Sequence, residues 1–225
     1  MKEINKYVLI VAGGSGSRMN TAVPKQFIRI NNKPLLLHTF KAFFDYDPTC
    51  TFILVLPKHE INYWEQLCKE FSFNIPHTIV EGGITRFHSV RNGLDQINDD
   101  GIVFIHDGVR PLVSIQTITN CFQGTLKNGN ALPVITPSES VRKATNGKTK
   151  AVDRRKYFLV QTPQTFKVKQ IKEAYNQQYN ELFTDDASVL ENLNIKINLV
   201  EGNRENIKIT YPEDLKITSI FLSQL

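Results

Sequence analysis

The chain has few cysteines and no long hydrophobic run. Only three of its 225 residues are cysteine, and only one is tryptophan. Cys50, Cys68 and Cys121 are far apart, with no Cys-x-x-Cys pair, which argues against disulfides and against a structural zinc site. No apolar run approaches the ~20 residues that a membrane-spanning helix needs. We therefore expect a protein that makes no use of a membrane.

The start of the sequence shows no secretory signal pattern. Residues 1–7 lead directly into a predicted strand, without the basic, apolar and small-residue segments of a signal peptide. Scattered thiols are typical of a reducing compartment. The expected location is therefore the cytoplasm.

The charge balance favours anionic partners. The formal net charge is +5, with 41% hydrophobic and 22% charged residues. The lysines are dispersed, and neither a basic helix nor an aromatic RNA-binding motif is present, so we expect no nucleic-acid partner. Length and composition predict one globular domain over residues 1–225.

Short β-branched runs alternate with segments of helical periodicity. Strands are predicted at 7–12, 51–56, 78–80, 102–105, 131–134, 195–200 and 207–209. Helices are predicted at 35–44, 60–71, 86–97, 115–127, 167–179, 186–193 and from 213 onwards. This alternation predicts an α/β protein with a mostly parallel sheet and helices on both faces. In such folds, ligands bind beyond the carboxyl ends of the strands.

Residues 136–161 interrupt this alternation and predict a protruding hairpin. Two extended arms, 140–144 and 150–154, flank the turn signal Asn146-Gly147. An isolated two-stranded hairpin is marginally stable and needs a surface to pack against. We expect this hairpin to pack against a partner subunit, the alternative being a lid folded onto its own domain.

A glycine-rich loop follows the first predicted strand. It contains Gly13, Gly14 and Gly16, then Arg18, and Lys25 follows nine residues after the last glycine. Glycine lets backbone N–H groups approach an anion closely, and successive amides form an anion-binding concavity. The two cations can neutralise phosphate charge there. The alternative is a strand-to-helix turn in which the glycines only make a tight corner.

Neither common nucleotide fingerprint fits this loop. Met19 stands where a dinucleotide-binding G-x-G-x-x-G motif has its third small residue. No Gly-Lys-Ser/Thr follows, so the loop is not a Walker motif. Lys58 also stands where a dinucleotide-dependent oxidoreductase has an acidic residue after its second strand, which speaks against that class.

A second polar segment follows the strand predicted at 102–105. Asp107 at that position can hold Mg²⁺, which prefers one or two carboxylates together with phosphate oxygens. A helix-capping or turn-forming aspartate is the alternative. Arg110 either binds a phosphate or pairs with an acid, and His106 is predicted to be a structural neighbour rather than a base.

The segment 82–90 runs from a loop into a predicted helix. Backbone amides here, including that of Gly83, and at Ala12 and Gly13 can read the edge of a base, and Ser89 supplies a hydroxyl. Ordinary helix-start chemistry is the alternative for this segment.

Three candidates lie in the second half of the chain. Lys208 has apolar neighbours, and because a buried unpaired ammonium is costly, we expect it to face an anion-rich cleft. Arg154 ends the hairpin arm and could reach a partner's active site. Thr184 either belongs to the cap of the next helix or contacts a substrate phosphate.

Eight motifs follow one another along residues 11–215: AGGSGSRM, PKQF, GGITRFHSV, HDGVRP, VDR, TPQTF, TDDAS and VEGNRENIKITYPEDL. In order and spacing they resemble the 2-C-methyl-D-erythritol 4-phosphate cytidylyltransferase family of isoprenoid biosynthesis. The resemblance implies a Rossmann-like nucleotidyltransferase core with a β-arm that clasps a second subunit. The chain departs from the family pattern at Ile84, where an acidic residue is usual, at Gly108 and at Ser140.

The resemblance also implies a role for each candidate. Arg18 and Lys25 would hold the CTP triphosphate and stabilise the pentacoordinate α-phosphorus, with Lys208 acting beside them. Asp107 would help to position Mg²⁺. The nucleotide would be bound by Ala12, Gly13, Gly14, Gly16, Gly83, Ser89 and Asp107. The methylerythritol phosphate would be bound by Arg110, Ser140, Arg154 and Thr184, with arm residues donated across the dimer.

The implied reaction is in-line attack of a sugar-alcohol phosphate oxygen on the α-phosphorus of CTP, releasing pyrophosphate. A phosphate monoester is already anionic near neutral pH, so catalysis depends on positioning and charge stabilisation rather than on a strong base. Two alternatives stay open: a ribitol 5-phosphate cytidylyltransferase, which shares the glycine loop, PKQF and the arm, and a non-catalytic nucleotide-binding module.

Overall fold

Strands and helices alternate along the protein, and the computed structural model describes residues 4–14 and 23–224. The strands are β1 (Lys6–Val11), β2 (Arg29–Ile30), β3 (Lys33–Pro34), β4 (Thr51–Leu56), β5 (His77–Glu81), β6 (Ile102–Asp107), β7 (Asn130–Ile135), β8 (Val141–Thr145), β9 (Lys148–Val152), β10 (Leu159–Val160), β11 (Gln164–Lys167) and β12 (Leu199–Glu201). The α-helices are α1 (Leu35–Tyr46), α2 (Ile61–Glu70), α3 (Arg86–Leu94), α4 (Ile115–Asn128), α5 (Val168–Tyr175), α6 (Asp186–Glu191) and α7 (Pro212–Leu222). Within the described ranges, no helix is both long and apolar enough to cross a membrane.

The main sheet has the strand order β10-β7-β11-β6-β1-β4-β5, and β12 also pairs with β7. Strands β6, β1, β4 and β5 are parallel to one another, with Leu9 of β1 opposite Ile53 on one side and Ile105 on the other. Strand β11 runs antiparallel between β6 and β7. The predicted mostly parallel sheet is confirmed, whereas the antiparallel strand formed by the TPQTF segment was not predicted.

Alternate residues of β1 face two layers of helices. Val8 and Ile10 pack in a core with α1, α2 and α4, whereas Tyr7 and Leu9 pack in a second core with α3, α5 and α6. All four side chains are buried. A parallel strand covered on both faces requires apolar residues at successive positions, which the sequence of β1 supplies. The prediction of helices on both faces is confirmed.

Two predicted strands are wrong or shorter than expected. Residues 207–209 are irregular, although Ile209 N–H donates a hydrogen bond to the Val109 carbonyl. The strand predicted at 195–200 is reduced to β12, because Asn198 N–H donates to the Asn130 side chain rather than to a neighbouring strand. In both places isolated hydrogen bonds outside a ladder replace regular pairing, and the local apolar pattern does not reveal this.

Strands β8 and β9 form the predicted hairpin. They pair antiparallel from Val141↔Val152 to Thr145↔Lys148. Asn146 and Gly147 join them with φ of 48° and 74°, the positive values that a type I′ turn requires. Nearly all side chains of the hairpin are exposed.

Candidate active site

A pocket lies at the carboxyl ends of β1 and β6, where a parallel sheet is expected to bind its ligand. The structure brings eight predicted site residues together around it: Ala12, Gly13, Gly14, Lys25, Gly83, Ser89, Asp107 and Lys208. These residues come from four separate parts of the sequence. Their convergence makes the pocket the candidate active site.

Six predicted residues do not line this pocket or lie outside the described ranges. Arg18 and Gly16 fall outside those ranges. Arg110 lies behind the pocket wall and contacts Asp107. The other three, Ser140, Arg154 and Thr184, are exposed and are not part of the pocket lining.

The Asp107 carboxylate lies among three cationic side chains at the pocket. Its Oδ2 atom accepts a hydrogen bond from Arg110 Nε at 3.0 Å and lies 3.1 Å from Lys208 Nζ. Its Oδ1 atom lies 3.8 Å from Arg86 Nε. Burial alone would raise the pKa of the Asp107 carboxyl, but the three cations outweigh burial and hold that pKa well below its usual range. Asp107 is therefore ionised at every physiological pH.

His106 helps to fix the position of Asp107 through hydrogen bonds to Arg110 and Thr162. Its Nε2–H donates to the Arg110 carbonyl at 2.9 Å, and its Nδ1 atom accepts from the Thr162 hydroxyl at 3.0 Å. The Thr162 oxygen in turn accepts the Asp107 N–H at 3.1 Å. Because a carbonyl can only accept, Nε2 carries the proton. Burial lowers the pKa of His106 to about 4, so the ring is neutral and structural, in agreement with the sequence analysis.

Asn206 connects the segment that contains Lys208 to Arg110 and Thr162. Its carbonyl accepts from Arg110 Nη1 at 2.8 Å, and its side-chain amide donates to the Thr162 carbonyl at 2.8 Å. Asn206 is fully buried. These bonds replace the strand pairing predicted for residues 207–209 and bring Lys208 to Asp107. The Lys208 side chain is 41% exposed, and its ammonium faces the Asp107 carboxylate.

Lys25 lies on a short 3₁₀ turn that is fixed to the helix layer. The adjacent Gln26 amide donates to the buried Glu60 carboxylate. Phe27 stacks on Trp64 with ring centroids 6.2 Å apart. The PKQF motif therefore combines one pocket-facing lysine with two anchoring residues, which restricts the positions that the lysine can take.

The segment after β5 forms the opposite side of the pocket. Gly83 N–H donates to Ser89 Oγ at 3.1 Å, so the serine hydroxyl holds the loop. A Cβ on Gly83 would lie 2.4 Å from the Cβ of His88, so no larger residue fits there without a backbone shift. Ile84 is 93% exposed at this side of the pocket. The close packing against His88 therefore requires glycine at position 83.

Arg86 lines the pocket and was missed as a candidate in the sequence analysis. The signal was present, because Arg86 lies inside the GGITRFHSV motif. Its importance depends on the residues that its guanidinium contacts, which are distant in the sequence.

The described residues fit a metal ion that arrives with a phosphate ligand. Within residues 4–14 and 23–224, no group of three or more His, Cys, Asp or Glu could hold a metal. Asp107 Oδ2 is occupied by Arg110 and Lys208, whereas its Oδ1 atom accepts no hydrogen bond from this part of the chain. One available carboxylate oxygen fits Mg²⁺ that takes its other ligands from phosphate and water.

The comparisons with known proteins agree on one protein family. The family profile described as IspD, 2-C-methyl-D-erythritol 4-phosphate cytidylyltransferase, matches residues 6–224. The 2-C-methyl-D-erythritol 4-phosphate cytidylyltransferase of Bacteroides fragilis is 50% identical, covering 95% of this chain and 98% of that protein. The enzyme of the same name from Bacteroides thetaiotaomicron is 47% identical, covering 96% and 98%.

Solved structures agree with this. The 2-C-methyl-D-erythritol 4-phosphate cytidylyltransferase of Francisella tularensis superposes with a TM-score of 0.79 at 31% identity, covering 98% of this chain and 100% of that one. A 4-diphosphocytidyl-2C-methyl-D-erythritol synthase from Anaerococcus prevotii gives a TM-score of 0.83 at 24% identity, covering 98% and 99%. The second likeness concerns the fold alone.

Proposed function

Because the chain belongs to the IspD family of 2-C-methyl-D-erythritol 4-phosphate cytidylyltransferases, we propose that it transfers CMP from CTP to 2-C-methyl-D-erythritol 4-phosphate. The products are pyrophosphate and 4-diphosphocytidyl-2-C-methyl-D-erythritol, in the non-mevalonate isoprenoid pathway. The observation that carries this proposal is the convergence of Lys25, Lys208 and the Gly83–Ser89 loop around Asp107. A cationic pocket with a glycine-lined side suits a nucleoside triphosphate.

In the proposed complex, CTP lies across the ends of β1 and β6. The cytosine and ribose contact the loop of Gly83 and Ser89 and the backbone at Ala12. The triphosphate lies against the glycine loop at Gly13, Gly14 and Gly16. This orientation follows from charge, because the cation Lys25 lies beside Gly14, where a Cβ would be 3.9 Å from Lys25 Cε.

Catalysis depends on charge that is already in position. As the acceptor oxygen approaches, negative charge develops on the oxygens of the α-phosphorus and of the leaving pyrophosphate. Lys25, Lys208 and Arg18 stabilise that charge, and they need no proton transfer to do so. The acceptor phosphate is anionic near neutral pH, which agrees with the neutral, buried His106 that offers no base to the pocket.

We propose Mg²⁺ as the cofactor, with Asp107 Oδ1 as its protein ligand. When bound, the ion neutralises triphosphate charge and orients the phosphates. The cations Arg86, Arg110 and Lys208 around Asp107 repel a free divalent ion. The triphosphate must therefore supply most of the oxygen ligands of the bound ion.

The acceptor is assigned to a second group of residues. Ser140, Arg154 and Thr184 are exposed polar residues outside the pocket lining, which suits groups that complete a site from another subunit or on substrate binding. Arg110 uses Nε on Asp107 and Nη1 on the Asn206 carbonyl. Its remaining Nη2 group is the part proposed to meet the acceptor phosphate.

We propose a homodimer joined by the β-arm of residues 136–161. After the hairpin, four consecutive apolar residues, 157–160, are each 41–50% exposed. Two of them form β10, at the end of the sheet. An exposed apolar run beside an exposed hairpin is typical of a surface covered by another subunit. On this proposal the chain is one domain over residues 1–225, with the arm as its dimerisation insertion.

Pyrophosphate release tests the function directly. The protein is incubated with CTP and Mg²⁺, and with 2-C-methyl-D-erythritol 4-phosphate, ribitol 5-phosphate or no acceptor. We expect release with the methylerythritol phosphate and little with the other two. Equal release with ribitol 5-phosphate would overturn the proposed acceptor. CTP binding without pyrophosphate release under any condition would indicate a non-catalytic nucleotide-binding module.

A further inference from the structure

Arg86 and Asp186 form a two-pronged ion pair beside the pocket. Arg86 Nη1 lies 2.7 Å from Asp186 Oδ1, and Nη2 lies 2.7 Å from Oδ2. Arg86 is the first residue of α3 and Asp186 is the first residue of α6. The pair therefore joins the first turns of two helices that are far apart in the sequence.

Burial holds the Asp186 carboxylate in its contact with Arg86. Its side chain is fully buried, and its Oδ1 atom also accepts the Tyr175 hydroxyl at 2.6 Å. Burial and then the nearby Asp186 charge raise the pKa of Tyr175 well above its usual value, so the hydroxyl remains a donor. A buried carboxylate that lost its cation would be strongly destabilised. The Arg86 guanidinium is thereby held in one plane.

Helix capping does not explain Asp186. The cap of α6 is Asp185, whose Oδ1 atom accepts the Ser188 N–H at 2.9 Å. Asp185 Oδ2 also accepts the Gln164 side-chain amide. The two aspartates of the TDDAS motif therefore have different roles. Asp185 caps the helix, and of the two only Asp186 contacts a residue that lines the pocket.

The held guanidinium supports the nucleotide side of the pocket. Arg86 follows directly on the loop that contains Gly83 and precedes Ser89 by less than one turn of α3. Its Nε atom points towards Asp107, at 3.8 Å from Oδ1. Without Asp186, the guanidinium could close this short distance and pair with Asp107, and the first turn of α3 would move with it.

We propose that Asp186 is a positioning residue for nucleotide binding, acting through Arg86, which it holds in place so that the Gly83–Ser89 loop keeps its binding geometry. This inference rests on the proposed function, because it takes CTP as the ligand of that loop. The effect is on CTP affinity, and the chemical step is largely unaffected.

The first test is chemical rescue with guanidinium. Arg86→Ala should raise the KM for CTP about tenfold, as loss of one charge-assisted contact commonly does. Millimolar guanidinium chloride should recover at least a third of this loss, because the Asp186 carboxylate still binds the ion, whereas equal NaCl should not. Arg86→Ala with Asp186→Asn should show no rescue. Equal rescue with and without Asp186, or none in either, would overturn the inference.

The second test needs no catalysis. Asp186→Asn should weaken CTP binding about tenfold in calorimetry and change kcat less than threefold. Tyr175→Phe keeps the carboxylate and the ring that stacks on Phe87 at 4.6 Å, and should have a smaller effect. Asp47→Asn is the matched control, because it removes the 2.6 Å pair with Lys6 at the opposite end of β1.

The outcomes separate the two proposals. Asp47→Asn should lower the melting temperature without changing CTP affinity, and an Asp186→Asn protein that behaves the same way would overturn the positioning role alone. A wild-type protein that neither binds CTP nor releases pyrophosphate would overturn the proposed function and this inference together.

Discussion

Lys208 Nζ lies 3.1 Å from Asp107 Oδ2, in the same pocket as Lys25. The lysine comes from an irregular segment near the end of the chain, and the aspartate ends a central strand. The contact keeps the ammonium at the pocket without burying it. A triphosphate that enters the pocket meets a cation whose position is already restricted, which reduces the reorganisation needed during reaction.

The cations of the glycine loop and of the PKQF turn should be essential for turnover. We expect Lys25→Ala and Arg18→Ala each to lower kcat by about 10²-fold or more, as loss of preorganised charge stabilisation commonly does. Steady-state pyrophosphate release is the measurement. Lys41→Ala, which removes an exposed lysine paired with Asp45, is the matched control and should retain wild-type rates. Rates within a few-fold of wild type in both pocket variants would contradict the assignment.

Mg²⁺ should bind with the nucleotide and not before it. Calorimetry should detect no Mg²⁺ binding by the free protein, because three cations surround Asp107. Asp107→Asn should raise the Mg²⁺ concentration needed for half-maximal activity about tenfold, since an amide oxygen is a weaker ligand for this ion. Asp45→Asn serves as a surface control. Tight Mg²⁺ binding without CTP would contradict the proposed ligand set.

The protein should lose stability in mild acid through His106. Burial lowers the pKa of His106 from an ordinary value near 6.5 to about 4. Between these values the unfolded chain binds a proton that the folded protein excludes, so the stability is fully present above about pH 6.5 and is lost as pH falls towards 4. We expect a loss of about 2 kcal/mol between about pH 7 and pH 4.5 from this residue.

Urea unfolding, followed by fluorescence of the buried Trp64, measures this loss. His106→Asn should remove the part of the pH dependence of stability that His106 contributes. His77, whose pKa is also lowered by burial, should keep contributing in the same direction. An unaltered slope in His106→Asn would show that the ring is not held neutral.

Subunit mixing should reveal whether the arm acts across the dimer. A purified heterodimer of Arg154→Ala and Lys25→Ala chains should recover about half of the wild-type activity, because one of its two sites would be intact. A heterodimer of Lys25→Ala and Lys208→Ala chains should recover none, since both lysines line the same pocket of one chain. Sedimentation as a monomer, or no recovery in the first heterodimer, would contradict an arm that completes the partner's site.

Elements with a strong local pattern were predicted well. The strand predicted at 51–56 coincides with β4, and the Asn146-Gly147 turn joins β8 and β9 as expected. These elements were predictable because period-two and helical apolar patterns, and the preference of Asn-Gly for positive φ, act over a few residues. The antiparallel strand β11 was not predictable in this way. Its pairing depends on β6 and β7, which lie far away in the sequence.

The sequence by itself determined the α/β alternation, the glycine loop and the candidate residues Lys25, Asp107 and Lys208, because each carries its signal in neighbouring residues. Only the tertiary structure decided how they are joined. It showed that Asp107 meets three cations, and that Arg86 is held by Asp186. An ion pair between distant segments leaves no local pattern, since its energy depends on distance and burial that exist only after the helices pack.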